Sequence, residues 1–69
     1  MSEPIGKRVR ELRKALHLSQ EELANLASIS TRPLYLLESG KGTIKLDTLN
    51  AIAAVLGMEV QLVRREPRV

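Results

Sequence analysis

The stretch of sequence that decides the fold runs from residue 19 to residue 39 and reads SQEELANLASISTRPLYLLES. It starts with Ser19 and has Glu22 three positions later, which is the capping-box pattern of a helix N-terminus. Leucines and alanines then recur over residues 23–27, and the small alanine side chains permit a neighbouring helix to approach closely. The pattern predicts a short helix of about eight residues.

A tight turn and another helix follow. Residues 28–30 place one apolar side chain between two serines, which are poor helix formers. Ser30 or Thr31 can cap the next helix, Pro33 fits only its first turn, and leucines three apart share its inner face. The side chains expected on its outer face are Arg32, Tyr35, Leu36 and Ser39. Two helices joined in this way form the helix-turn-helix arrangement, in which the second helix enters the DNA major groove.

Helical periodicity continues on both sides of this stretch. Before it, apolar residues recur at spacings of four, three and four, at Ile5, Val9, Leu12 and Leu16. After it, the glycines of residues 40–43 end the third helix, and a fourth helix is capped near Asp47 and closed by Gly57. The inner residues of that helix are Leu46, Leu49, Ile52, Ala53 and Leu56. The sequence therefore predicts an all-α domain of four helices, with a core made mostly of leucine.

After Gly57 the apolar pattern changes its period. Met58, Val60 and Leu62 alternate with other residues, and a period of two is typical of a strand. One strand cannot satisfy its own backbone hydrogen bonds, and nothing else in the sequence resembles a second strand. We expect residues 58–63 to form a short C-terminal β-strand that pairs across a dimer, with those three residues in the dimer interface. A frayed helix or a loose tail is the alternative.

Length and composition restrict the classes of function. The chain has 69 residues, of which 43% are hydrophobic, and we expect a single domain over residues 1–69. Such a domain buries only roughly 60% of the surface that its unfolded chain exposes, so oligomerisation is an expected source of stability. With one histidine, His17, and no cysteine, neither a Ser/His/Asp set nor a zinc site can be assembled. We expect no enzyme and no cofactor.

Positive charge is concentrated near the N-terminus. Eleven lysines and arginines exceed eight acidic residues, and residues 1–17 contain five of these cations against two acidic residues. The resulting pI near 9.8 favours a polyanionic partner such as nucleic acid. Lys7, Arg8, Arg10 and Lys14 are interpreted mainly as a solvated helix face. No apolar run approaches the roughly 18 residues of a membrane span and no signal-peptide core is present, so we expect a cytoplasmic protein with no membrane partner.

Seven positions follow a more specific pattern: Gln20, Ala24, Ile29, Ser30, Leu34, Leu37 and Glu38. With the glycine-containing loop after Glu38, they resemble the Cro/CI (Xre) family of bacterial helix-turn-helix regulators. The sequence departs from the family pattern at His17 and Ser28, where glycine is common, and at Pro33 inside the recognition helix. The resemblance implies a four-helix, lambda-repressor-like DNA-binding domain. It also implies that Arg13 and Glu38 form a buried structural ion pair.

The C-terminal part narrows this resemblance. Residues 46–49 and 56–62 are similar to the compact HipB-like antitoxins, and the resemblance as a whole covers residues 5–63. It implies a homodimer with strands paired across the two-fold axis, a palindromic double-stranded DNA operator and, in many members, a neighbouring HipA-type kinase toxin.

Arg32 is the first candidate for a DNA contact, because it is the only cation on the outer face of the third helix. Its guanidinium can form two hydrogen bonds with O6 and N7 of guanine; a phosphate contact or an ordinary surface arginine is the alternative. Thr31 can bond a base or phosphate, whereas Ser30 can merely cap the helix. Tyr35 and Leu36 are exposed apolar groups unless DNA covers them, and packing on protein is their alternative.

The remaining candidates are polar or cationic. Gln20 lies at a helix N-terminus, where backbone N–H groups favour phosphate. Lys41 and Lys45 follow the third helix, and phosphate clamps or solvated loop charges are equally compatible with them. Ser39 completes the outer face.

Two functional hypotheses follow from these features. The first is a dimeric, sequence-specific DNA-binding repressor, which the resemblance makes an antitoxin that regulates its own operon. The second is a protein-interaction module that neutralises a toxin and binds DNA weakly or not at all. An affinity for duplex DNA that falls steeply with salt separates the two.

Overall fold

The computed structural model describes residues 4–61, which form four helices. These are α1 (Ile5–Ala15), α2 (Gln20–Leu26), α3 (Thr31–Ser39) and α4 (Leu46–Val55). The predicted all-α order is confirmed for this part of the chain. Each helix between residues 4 and 61 is too short to cross a bilayer as an apolar span.

The core lies where α3 meets α1 and α2, and where α4 meets α2. Its fully buried large side chains are Leu23 of α2, Leu34 of α3 and Ile52 of α4. Burying a side chain of this size stabilises the folded state by about 1.5–3 kcal/mol. Ala24 is also buried, as expected for a residue that lets a neighbouring helix approach closely.

All four helices end in the same way, with a Schellman motif. A residue of positive φ follows the last turn, and its N–H and the next N–H donate to carbonyls of that turn. Gly40 and Gly57 occupy this position after α3 and α4. After α1 and α2 it is occupied by His17 and Ser28, both with a φ of 58°. The turns after α1 and α2 therefore form without the glycine that is common in the Cro/CI pattern. The left-handed backbone of an L-residue at these two positions costs free energy.

Replacing Ser28 by glycine is expected to stabilise the domain by about 0.5–1 kcal/mol. Glycine adopts the left-handed backbone without strain, and the free energy gained in this way exceeds the free-energy cost of the extra conformational entropy that glycine loses on folding. Thermal unfolding should show a Tm higher by roughly 2–8 °C. Ser30→Gly is the control, because Ser30 has a φ of −77° and gains no such relief. An equal rise in Tm for Ser28→Gly and Ser30→Gly would contradict this explanation.

α1 and α3 cross at Gly6, where their backbones are in contact. A Cβ atom added at Gly6 would lie 1.9 Å from the carbonyl oxygen of Leu37 and 3.2 Å from Cα of Glu38. Only glycine permits this approach. The apolar spacing predicted α1 without a role for Gly6, because the close contact arises from a second helix that lies far away in sequence.

The strand expected over residues 58–63 is not present in its described part, residues 58–61. Met58 follows the glycine that ends α4. Its N–H donates to the Ala53 carbonyl (2.8 Å), and its half-buried side chain packs against the core. The strand prediction was wrong here because three alternating apolar residues also fit the hydrophobic contact that follows a Schellman motif. Leu62 and the end of the predicted strand lie outside the described residues.

Candidate nucleic-acid interface

The start of α2 is held by the predicted capping box. The Ser19 hydroxyl accepts a hydrogen bond from the Glu22 backbone N–H (3.0 Å), and the Ser19 N–H donates to the Glu22 carboxylate (2.8 Å). Hydrogen bonding by Ser19, mainly through its backbone N–H, holds the pKa of the Glu22 carboxyl below its usual value. This contribution to stability is present above the ordinary pKa of glutamate and is lost as pH falls through the lowered pKa.

The helix α3, predicted to be the recognition helix, begins at Thr31, with Ser30 as its N-cap residue. Ser30 has the extended backbone of an N-cap, but its hydroxyl forms no capping hydrogen bond. Pro33 supplies the reason, because it occupies the third helical position and has no N–H to donate. Pro33 thus lies in the first turn, as predicted, and both Ser30 and Thr31 are exposed at the start of the helix.

The outer face of α3 carries the other candidate contacts. Arg32 and Tyr35 are exposed, the latter to 58%. Leu36 is half-buried and approaches Gly42 of the following loop, so protein covers part of it. Ser39 is exposed, but its hydroxyl donates to the Leu36 carbonyl (3.0 Å). With respect to residues 4–61, the face therefore has one cation without a hydrogen-bond partner, Arg32, and one aromatic hydroxyl, whereas the proton of Ser39 is already used within the helix.

A buried ion pair ties α3 to α1. Arg13 donates from Nε to Glu38 Oε2 (2.8 Å) and from Nη2 to Glu38 Oε1 (2.9 Å). The other terminal nitrogen of Arg13 donates to the Leu18 carbonyl (2.7 Å). These side chains are only 10% and 4% exposed, and hydrogen bonding to Glu38 raises the pKa of Arg13 above its usual value. The structural ion pair that the resemblance implied is present.

Gln20, a predicted phosphate contact, is attached to this ion pair. Its side-chain amide donates to Glu38 Oε1 (3.2 Å), and the residue is half-buried. Because an amide NH₂ has two protons, one remains for an external acceptor. The sequence placed Gln20 correctly at the start of α2, but the carboxylate that it meets belongs to a helix that is distant in sequence.

The two candidate lysines lie between α3 and α4 and are exposed. Lys41 follows the left-handed Gly40, and its backbone N–H donates to the Leu36 carbonyl (3.0 Å). Lys45 is the N-cap residue of α4 and makes no side-chain cap. Asp47, expected near that cap, instead lies in the first turn, where its charge suits the helix dipole.

A shallow depression lies between α1 and α3, beside the start of α2. The residues that line it are Arg10, Arg13, Lys14, Gln20, Tyr35, Glu38 and Ser39. Sequence alone places Arg10 and Lys14 on a solvated face of α1. Their four-residue spacing already placed them on one flank of α1, but only the crossing of α1 with α3 brings that flank beside Tyr35.

Comparison with known proteins identifies the family. The family model described as helix-turn-helix matches residues 9–63, which include all of α2, the turn and α3. The chain belongs to the Cro/CI-type helix-turn-helix family. A relative of this helix-turn-helix protein is RghRB of Bacillus subtilis, an uncharacterized HTH-type transcriptional regulator, 43% identical over 54 residues. The match covers 77% of this chain and 39% of RghRB, so the chain spans about two fifths of that curated relative.

Solved structures of similar fold include two regulators. The restriction-modification controller protein C.AhdI of Aeromonas hydrophila superposes with a TM-score of 0.72 at 37% identity, over 78% of this chain and 82% of C.AhdI. SinR, a master regulator for biofilm formation, superposes in its complex with DNA with a TM-score of 0.72 at 28% identity, over 80% of this chain and 89% of SinR. A chain of the SinR–SinI protein complex superposes with a TM-score of 0.74 at 28% identity, over 80% of this chain and 54% of that chain. These likenesses confirm the four-helix fold.

Proposed function

We propose that this helix-turn-helix protein is a sequence-specific, DNA-binding transcriptional repressor that inserts α3 into the major groove. The observation that carries the proposal is the exposed outer face of α3, with Arg32 and Tyr35, on a helix held firmly by the Arg13–Glu38 ion pair. A rigid helix with a solvent-exposed cation suits recognition of base edges, because little ordering is needed on binding. The complex of the similar protein SinR with DNA supports the same proposal.

Arg32 is the residue that tests this proposal most directly. Arg32→Ala is expected to weaken binding to the preferred duplex by about 1–3 kcal/mol, roughly 5-fold to 150-fold, and to flatten sequence preference at one position per half-site. The physical reason is loss of a planar donor pair that fits guanine. Selection from random duplexes, followed by titration of the selected and scrambled sequences, measures both effects.

Two further variants define the outcome of the Arg32 experiment. Arg32→Lys keeps the charge without the planar fork, so it should restore a phosphate contact but not a bidentate base contact. Arg8→Ala removes an exposed cation of α1 that does not line the depression, and it should leave the sequence preference unchanged. If Arg32→Ala leaves the sequence preference unchanged, as Arg8→Ala is expected to do, α3 is not the recognition helix.

We further infer that two copies bind a palindromic operator, with recognition helices about 34 Å apart along the duplex. Support comes from the small core and from exposed leucines such as Leu46, which is 61% exposed. Val60 remains a predicted dimer contact, whereas Met58 packs on its own core. Sedimentation equilibrium with and without the duplex measures the stoichiometry.

The finer proposal is that the protein is a HipB-like antitoxin that represses its own operon and binds a HipA-type kinase toxin. What supports it is the similarity of residues 46–62 to that subgroup. A second candidate function is a protein-interaction module with little DNA affinity, which the complex of the similar protein SinR with SinI favours. The salt dependence of duplex binding separates a DNA-binding antitoxin from such an interaction module, because only a protein that neutralises several phosphates loses affinity for DNA steeply as salt rises.

A further inference from the structure

We propose that Arg10 and Lys14 of α1 form a phosphate seat beside the recognition helix, occupied by a DNA backbone phosphate in the complex. The phosphate seat is the outer part of the depression described above. This inference rests on the proposed function and extends the DNA contact to a helix outside the helix-turn-helix motif.

The helical geometry of α1 places Arg10 and Lys14 at the same depression. Arg10 and Lys14 are exposed and four residues apart, so they lie about 6 Å apart along the helix axis on the same flank. Both line the depression together with Gln20 and Tyr35. The remaining amide proton of Gln20 and the hydroxyl of Tyr35 add hydrogen-bond donors to the two charges. Cations and donors that converge on one depression fit a phosphate group.

The charge balance of the depression also favours an anion. Among residues 4–61, Glu38 is the only acidic residue that lines it, and its side chain is 4% exposed and already accepts hydrogen bonds from Arg13 and Gln20. In the described part of the chain, the depression therefore carries the two positive charges of Arg10 and Lys14, and Glu38, which is paired with Arg13, is the one carboxylate that lines it. Like charges four residues apart also destabilise a helix, and an anion between Arg10 and Lys14 removes this repulsion.

The position of the depression points to nucleic acid as the source of the phosphate. Tyr35 forms part of its wall and also belongs to the exposed face of α3. A duplex whose major groove holds α3 presents the flanking backbone to the helices beside α3, and α1 is one of these. A contact of this kind fixes the register of the protein on DNA and carries no sequence preference.

The test compares Arg10→Ala with Arg8→Ala. Both residues are exposed arginines of α1, but two residues of separation place them about 200° apart around the helix, and only Arg10 lines the depression. Because Arg10 and Lys14 share one phosphate, we expect the slope of log affinity against log salt for duplex DNA to become shallower by about 0.9 per subunit in Arg10→Ala/Lys14→Ala. Arg10→Ala, which keeps Lys14, should show part of this change. Arg8→Ala should keep the slope, and all three variants should keep the sequence preference of the parent protein.

A second measurement separates the two sources of phosphate. Inorganic phosphate is titrated into the parent protein and the double variant, with the Gln20 side-chain amide followed by NMR. If the parent protein binds duplex DNA and Arg10→Ala/Lys14→Ala loses no more slope than Arg8→Ala, the phosphate seat is overturned and the proposed function stands. If the parent protein binds no duplex, the proposed function fails and so does the DNA phosphate seat; a Gln20 shift specific to the parent protein then identifies a site for free phosphate.

Discussion

Gly6→Ala is expected to destabilise the domain by about 3 kcal/mol, the upper part of the range for overpacked sites. The added methyl group would lie 1.9 Å from the Leu37 carbonyl oxygen, and a backbone atom cannot rotate away as a flexible side chain can. A chain of 69 residues has a total stability of only about 3–10 kcal/mol. Thermal unfolding should therefore show a Tm lower by roughly 12–24 °C, and a large unfolded fraction at physiological temperature.

The sign of the stability change in Gly6→Ala separates the effect of overpacking from that of helix propensity. Helix propensity alone predicts that alanine in place of glycine stabilises a helix by about 1 kcal/mol. A higher Tm for Gly6→Ala would therefore show that α1 and α3 do not approach as described. Lys7→Ala is the matched control, because Lys7 is the exposed neighbour in the same helix and its truncation should change stability by less than about 0.5 kcal/mol.

Glu38→Gln should have a comparable or larger effect, about 3–5 kcal/mol of lost stability. The amide keeps the size of the carboxylate but leaves the Arg13 guanidinium, in a side chain that is only 10% exposed, without its counter-charge. Glu38 also accepts from Gln20, so the variant weakens the attachment of α3 to both α1 and α2. Urea denaturation of the purified protein measures the loss.

Two comparisons make the Glu38 experiment decisive. Glu21→Gln removes an exposed carboxylate one residue after Gln20 and should be nearly neutral. The double variant Arg13→Met/Glu38→Leu removes both charges and should recover most of the stability, because no unpaired charge remains buried. If Glu38→Gln costs no more than Glu21→Gln, the ion pair does not hold α3 in place.

These two predictions show where sequence reasoning was incomplete. The pattern from Ser19 to Ser39 predicted α2, the turn and α3, and the resemblance to the Cro/CI family implied the Arg13–Glu38 pair. The close contact at Gly6 was not predicted, because the residues around Gly6 in the sequence do not indicate that the backbone of α3 approaches this position. The strand over residues 58–63 was expected from three alternating side chains, and Met58 belongs instead to the end of α4.

The features that sequence predicted well depend on contacts within one or two helical turns. The capping box of Ser19 and Glu22, the first-turn position of Pro33 and the apolar stripes of the helices all arise from side chains three or four residues apart. Their energetics are local, so the order of residues is sufficient to predict them.

The features that required the folded chain depend on how α1 crosses α3. That crossing demands glycine at position 6 and brings Arg10 and Lys14 beside Tyr35, and the packing of α2 on α3 brings the amide of Gln20 to Glu38. Each of these contacts joins residues that are distant in sequence, and helical periodicity places a residue on a face without giving the angle at which two faces meet. Close packing of the core sets that angle, and with it the charge that the protein presents beside its recognition helix.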